Sequence, residues 1–274
     1  MLSCPVCAAD LEQHEKKLVC ANQHSFDRAR QGYYNLLLNQ HKNSKAPGDN
    51  ADMVAARTAF LDSGAYQSIS DTINQFAVDQ LWEVPNSQLV DMGCGEGYYT
   101  HRLQQALADH QISSAVYGLD ISKDAIKVAA KRNKDVTWLV ANANKPPFVE
   151  GGAHFILNVF NRLMPDSLAR MCHPDGRLLV VSAGSHHLQQ LKEAIYETPR
   201  YKEFDCQAAL ADHFNHSHRT TLNFTMHLNQ TQIHALLAMT PHVWRSSPQT
   251  QAGLKALDAL DLKVHVNLDL FVKK

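Results

Sequence analysis

The segment Val90-Asp91-Met92-Gly93-Cys94-Gly95-Glu96-Gly97 constrains the fold more than any other. It follows a short apolar run, Gln88–Met92, and precedes a helix-forming stretch, Tyr98–Ala108. A strand that turns through glycines into a helix belongs to an open α/β sheet. In such sheets ligands bind outside the carboxyl ends of the strands. The glycines let the backbone approach a ligand, and the start of the following helix offers unpaired N–H groups. A dinucleotide-binding fold is one reading of such a loop, but its fingerprint is G-x-G-x-x-G. Here the spacing is Gly-x-Gly-x-Gly, with an acid, Asp91, at the strand tip. For Cys94 a small side chain that fits a tight loop is sufficient explanation.

A second acid supports the same pocket. Gly118-Leu119-Asp120 closes the next apolar run, and a carboxylate there can accept hydrogen bonds from both hydroxyls of a ribose. The two acids together favour S-adenosylmethionine over a nicotinamide or flavin dinucleotide. Candidate cofactor residues are Asp91, Gly93, Gly95, Glu96, Gly97 and Asp120, with Asn142 at the adenine edge after the third strand. Turns favour Asn in any case, so Asn142 has a plain structural alternative.

From Asn86 onward strands and helices alternate. Strands are expected at 114–120, 136–141, 154–159 and 177–182, and helices at 123–131, 165–172 and 187–197. This rhythm predicts a mostly parallel sheet with helices on both faces. Two late strands, Thr220–Leu228 and Lys263–Val272, flank a helix over Thr231–Met239 and suit antiparallel pairing at the sheet edge. Upstream, helical patterns cover Asp52–Leu61, capped by Asp49 or Asn50, and Tyr66–Trp82, ended by Pro85. The expected division is a module over 1–34, a helical linker region over 35–85 and a catalytic domain over 86–274.

The module carries Cys4-x2-Cys7-x12-Cys20-x3-His24. Two ligand pairs, thiolate-rich and closely spaced, are the donor set of a four-coordinate structural zinc site. So short a segment has little core, and metal binding supplies much of its folding free energy. A second cluster, His213-x2-His216-x-His218, lacks thiolates and reads as a polar surface segment.

Composition sets the outer limits. The 274 residues carry a formal charge of −1 and 45% apolar residues, so the chain is no globally basic nucleic-acid coat and has material for a core. Between Lys16 and Gly48, however, six Lys/Arg face a single acid, Asp27, which suits a polyanionic partner or a solvated loop. No stretch reaches the roughly 18 apolar residues of a membrane span, and the N-terminus lacks a signal-peptide pattern. A cytoplasmic location is the expectation.

These motifs resemble those of the bacterial large-subunit (23S) ribosomal RNA guanine-N1 methyltransferases. The likeness covers Cys4-Pro5-Val6-Cys7, Gln31-Gly32-Tyr33-Tyr34-Asn35-Leu36-Leu37, Gln40-His41-Lys42 and Pro47-Gly48-Asp49. It continues through Arg57-x2-Phe60-Leu61-Asp62-x-Gly64-x-Tyr66, Gly93–Thr100, Gly118–Ser122, Ala125-x-Lys127-x-Ala129-Ala130-Lys131, His187-Leu188 and Met239-Thr240-Pro241. The resemblance implies a class I S-adenosylmethionine-dependent methyltransferase, Rossmann-like, with an N-terminal zinc-binding module. It implies a homodimer acting on N1 of a guanine in a 23S rRNA hairpin loop. It places Tyr66, Gly95, Glu96 and His187 at the methyl donor. Its pattern has an aromatic, a small residue and proline after the fourth strand, where the target base sits. This chain has Phe160-Asn161-Arg162 instead. Asn161 and Arg162 are the candidate donors to guanine O6, and Arg28, Arg30, Lys42 and Lys45 the candidate phosphate partners. The alternatives are a methyltransferase for another RNA, a protein or a small molecule, and a zinc-bearing RNA-binding homologue without catalysis.

Overall fold

Short apolar strands separated by amphipathic helices leave one solution, a central sheet covered on both faces. The computed structural model describes residues 1–41 (without the His41 side chain), 47–196, 198–199, 201, 203–240 and 246–274. The chain opens with a small antiparallel sheet of β1 (Leu11–His14), β2 (Lys17–Cys20) and β3 (Ser25–Asp27). The fourth strand, β4 (Tyr33–Asn35), leaves this unit and pairs parallel with a strand of the large sheet. Two helices follow, α1 (Ala51–Asp62) and α2 (Gln67–Leu81). Asn50 caps α1 by accepting from the Met53 N–H, which settles the choice between Asp49 and Asn50.

The large sheet is built next. Its strands are β5 (Ser87–Met92), β6 (Ser114–Asp120), β7 (Thr137–Val140), β8 (Ala153–Val159) and β9 (Cys172–Ala183), then β10 (Phe214–Asn229) and β11 (Ala259–Lys273). Between them lie α3 (Tyr98–Asp109), α4 (Lys123–Arg132), α5 (Pro165–Met171), α6 (Gln189–Ile195), α7 (Cys206–Leu210), α8 (Gln230–Met239) and α9 (Pro248–Lys255). The spatial order is β10-β11-β9-β8-β5-β6-β7-β4. From β4 to β9 the strands are parallel; β11 then lies antiparallel between β9 and β10. The chain passes from β5 through β6 and β7, then returns to β8 on the other side of β5. The strand order therefore reverses at β5, and the crevice expected for ligands opens at its carboxyl tip.

Several boundaries differ from the sequence reading. β10 begins at Phe214 rather than Thr220 and β11 at Ala259 rather than Lys263, because the two strands pair with each other beyond the expected ranges. β9 begins at Cys172 rather than Arg177, because the ladder with β8 is irregular between Ala153 and Phe155, a bulge that admits Pro174 within the strand. Helix α6 begins at Gln189 rather than His187, because Leu188 is left-handed at φ +52° and leaves His187 in the turn before it. The strands of the small sheet were not anticipated.

Apolar side chains separate onto the two faces. One cluster joins α1, α2, α3, α4 and α8 to the sheet through Phe60, Ile73, Leu103, Ile126 and Leu236. The other holds the N-terminal segment: Leu2, Leu11 and Leu18 pack with Leu139, Phe148 and Ile156. Among the described residues no helix is long and apolar enough to cross a membrane.

Candidate functional site

The N-terminal donors converge. Two tight turns present them: Ala8 N–H donates to the Cys4 carbonyl at 2.8 Å, and Gln23 N–H to the Cys20 carbonyl at 2.9 Å. Cys4 Sγ lies 3.6 Å and Cys20 Sγ 3.4 Å from His24 Nδ1, and Cys7 Sγ lies 3.7 Å from Cys20 Sγ. A tetrahedral zinc with ordinary bond lengths demands ligand–ligand edges of about 3.5–3.8 Å. The four donors, all within 4.8 Å of one another, fit that ion and leave no open position. The histidines of the second cluster part company: His213 meets Asp166, His216 meets Asp269 and His218 meets the Thr220 hydroxyl. They form no metal group among the described residues.

At the tip of β5 lies a cleft of about 400 Å³. Its floor is acidic. Asp91 is 1% exposed; one oxygen accepts from the Thr100 hydroxyl at 2.6 Å, and Oδ1 has no partner among the described residues. Burial, reinforced by the Asp120 and Glu96 charges, pushes its pKa up to about 7. Glu96 is 2% exposed and its Oε1 is likewise unpartnered; burial raises its pKa too. Asp120, also raised by burial, accepts from Gly95 N–H at 3.0 Å and from Ser122 N–H at 2.7 Å. These bonds fix the carboxylate against the glycine turn and leave each oxygen a free lone pair.

Packing dictates two glycines of the turn. A Cβ on Gly93, at φ +83°, would stand 2.0 Å from Asn161 Nδ2. One on Gly97, at φ +82°, would stand 2.6 Å from the buried Trp138 ring.

An aromatic wall faces the floor. Tyr66 Oη lies 3.2 Å from His187 Nε2, and the Phe160 ring stacks on the His187 imidazole at 5.7 Å and 26°. Burial, and less so the Lys192 charge, lowers the His187 pKa to about 4, so the ring is neutral near pH 7. Burial raises the Tyr66 pKa, so its hydroxyl keeps its proton. Phe160 is left-handed at φ +48° and 42% exposed, which presents its outer face to incoming groups.

Of the residues singled out from sequence, Tyr66, Asp91, Gly93, Gly95, Glu96, Asp120, Asn161 and His187 line this cleft. Gly97 lies behind it as the first residue before α3. Asn142 does not line it and accepts from Asn144 N–H in a turn. Asn161 donates to the Met92 carbonyl at 2.9 Å and accepts from Arg162 N–H at 2.8 Å, while Arg162 is exposed. Arg28 and Arg30 are exposed and form no ion pair among the described residues; Lys42 and Lys45 lie outside the described residues. Asp49, Arg57 and Tyr99, not among the residues singled out from sequence, also line the cleft, as does Phe160 of the loop expected beside the target base.

A glycine turn at the sheet's reversal point, acids closing β5 and β6, and an antiparallel strand inserted beside β9 define a class I S-adenosylmethionine-dependent methyltransferase. Residues 89–179 match the family model described as a methyltransferase domain, and residues 2–45 match the one described as the RlmA N-terminal zinc ribbon. A Streptomyces fradiae 23S rRNA (guanine(748)-N(1))-methyltransferase is 34% identical across 92% of this chain and 88% of its own length. A Bacillus subtilis relative named for 23S rRNA guanine-N1 methylation is 29% identical across 100% of this chain and 97% of its own. One from Micromonospora griseorubida, similarly named, is 30% identical across 90% and 88%. The chain belongs to the 23S rRNA guanine-N1-methyltransferase family.

Proposed function

We propose that the chain transfers a methyl group from S-adenosylmethionine to N1 of a guanine in a 23S rRNA hairpin loop. The observation that carries this reading is the floor of the cleft. Two buried carboxylate oxygens, Asp91 Oδ1 and Glu96 Oε1, have no partner among the described residues. Such groups are costly to bury unless something pairs with them. A ligand bearing an ammonium and a sulfonium satisfies them, whereas the pyrophosphate of a dinucleotide is repelled.

Asp120 holds the ribose. Tyr66, Gly95, Glu96 and His187 surround the methionine portion, while Asp91, Gly93 and Gly97 shape the turn beneath it. When bound, the cofactor supplies an electrophilic methyl group on sulfur. The protein's part is alignment and exclusion of water. Phe160 offers a stacking face for a guanine splayed out of its loop. Asn161 ties that loop to β5 through Met92, so Arg162 is the side chain left to meet negative charge on O6 as the N1 proton departs. His187, neutral near pH 7, adds no positive charge beside the sulfonium.

Cys4, Cys7, Cys20 and His24 hold a structural zinc, and Arg28, Arg30, Lys42 and Lys45 contact RNA phosphates. The functional division is a zinc-binding module over 1–34, a linker over 35–85 and a methyltransferase domain over 86–274. A cytoplasmic homodimer completes the proposal; sedimentation of the purified chain reads the dimer. Mass spectrometry of rRNA nucleosides from cells lacking the protein tests the reaction. One N1-methylguanosine of 23S rRNA should disappear, and an unchanged level would overturn the substrate assignment.

A further inference from the structure

The charges lining the cleft are lopsided. Asp49, Asp91, Glu96 and Asp120 bring four carboxylates, and Arg57 is the single Lys or Arg among the described lining residues. Arg57 projects from α1 and forms an ion pair with Asp49 through Nη1. That same nitrogen lies 3.9 Å from the point where a Cβ on Gly95 would stand, the nearest atom to a turn otherwise open to the cleft. Its charge reaches Glu96 and Asp120, easing the ionisation of both. Asp49 is itself held from outside, since the Ser122 hydroxyl donates to its main-chain oxygen at 2.6 Å.

The amino-acid end of the methyl donor carries an ammonium and a carboxylate. The ammonium has the unpaired oxygens of Asp91 and Glu96 to choose from. A carboxylate set among four like charges needs a cation, and this cleft offers one. A guanidinium can give one edge to Asp49 and another to a second carboxylate, because its five N–H donors lie in a fixed fork. We propose that Arg57 binds the α-carboxylate of the methyl donor, with Asp49 as the positioning residue that aims it. This rests on the cofactor assignment above and names a contact within that site.

Decarboxylated S-adenosylmethionine, which lacks only the carboxylate, separates this contact from general damage. Calorimetric titration of the full chain with each compound is the test, on wild type, Arg57→Gln and Arg57→Lys, with folding checked by thermal melting. Wild type should prefer S-adenosylmethionine to the decarboxylated compound by about tenfold or more. Arg57→Gln should weaken the former about 10- to 100-fold and the latter less than about threefold. Arg57→Lys should fall between, having the charge but not the fork. Equal loss for both compounds in the folded variants would overturn the proposal, because Arg57 would then only shape the wall. Wild type binding neither compound would instead overturn the cofactor assignment itself.

Discussion

Replacing Asp91 by Asn removes the most exposed consequence of this architecture, a carboxylate built into a dry floor before its cationic ligand arrives. The carboxyl is pushed from 3.8 to about 7 chiefly by burial. The folded chain therefore keeps a proton that the unfolded chain releases above about pH 4. A group raised in this way adds stability in acid and loses it as pH climbs through about 7. Relative to a neutral residue, Asp91 costs about 1.5 kcal/mol at pH 5 and about 4 kcal/mol at pH 8. An asparagine has its own unpaired amide nitrogen at the orphaned oxygen, a penalty of about 1–3 kcal/mol. That penalty does not vary with pH, so the informative quantity is a difference. The stability of Asp91→Asn minus wild type should rise by roughly 2–3 kcal/mol between pH 5 and pH 8. Glu96 and Asp120 stand close by, and loss of the Asp91 charge eases their ionisation, adding to the same trend. Urea unfolding followed by tryptophan fluorescence at a series of pH values supplies the curve. A difference that changes by less than about 0.5 kcal/mol across that range would refute the argument that this carboxylate is buried without compensation. Wild type should bind S-adenosylmethionine more tightly at pH 8 than at pH 6 as Asp91 ionises, and the same variant should lose that rise.

Three further outcomes follow from particular contacts. Gly97→Ala forces a methyl group into the buried Trp138 and Ala129 at φ +82°, and should cost about 2–4 kcal/mol in urea unfolding; a cost below about 1 kcal/mol would contradict the packing described. Elemental analysis should find one zinc per chain, abolished by Cys20→Ser, with new proteolytic cleavage confined to the first thirty or so residues; cleavage throughout the sheet would contradict a local structural role. Asn161→Ala releases the Met92 carbonyl, and should lower methyl transfer about tenfold while S-adenosylmethionine affinity changes less than about threefold. Equal loss of both would mean that Asn161 supports the cofactor pocket rather than the substrate loop.

The catalytic sheet is largely legible in the chain because its signals are local. Glycines punctuate the end of β5, Asp120 closes β6, and α3 and α4 carry apolar stripes bounded by a cap or a turn. The small sheet is not legible. Strands β1 to β3 span three or four residues each, as does the edge strand β4 of the large sheet, and β2 buries Leu18 and Cys20 within a unit held partly by metal donors. Neither alternation nor length stands out in such segments. Arg57 and Asp49 are hidden for another reason. A charge on a helix beside a polar loop reads as a solvated surface, and only the tertiary fold turns that surface over the glycine turn. The loop of Phe160 is legible as a position beside the target base, but not the left-handed backbone that leaves its ring 42% exposed and stacked on His187.

Methyl transfer in a purified system tests the central assignment most directly. Wild-type protein, S-adenosylmethionine labelled in its methyl group, and 23S rRNA lacking the modification are incubated together, and the RNA is digested to nucleosides. The label should elute as N1-methylguanosine and map to one hairpin loop. Label found in another nucleoside, or none in RNA while the protein binds S-adenosylmethionine, would contradict the account.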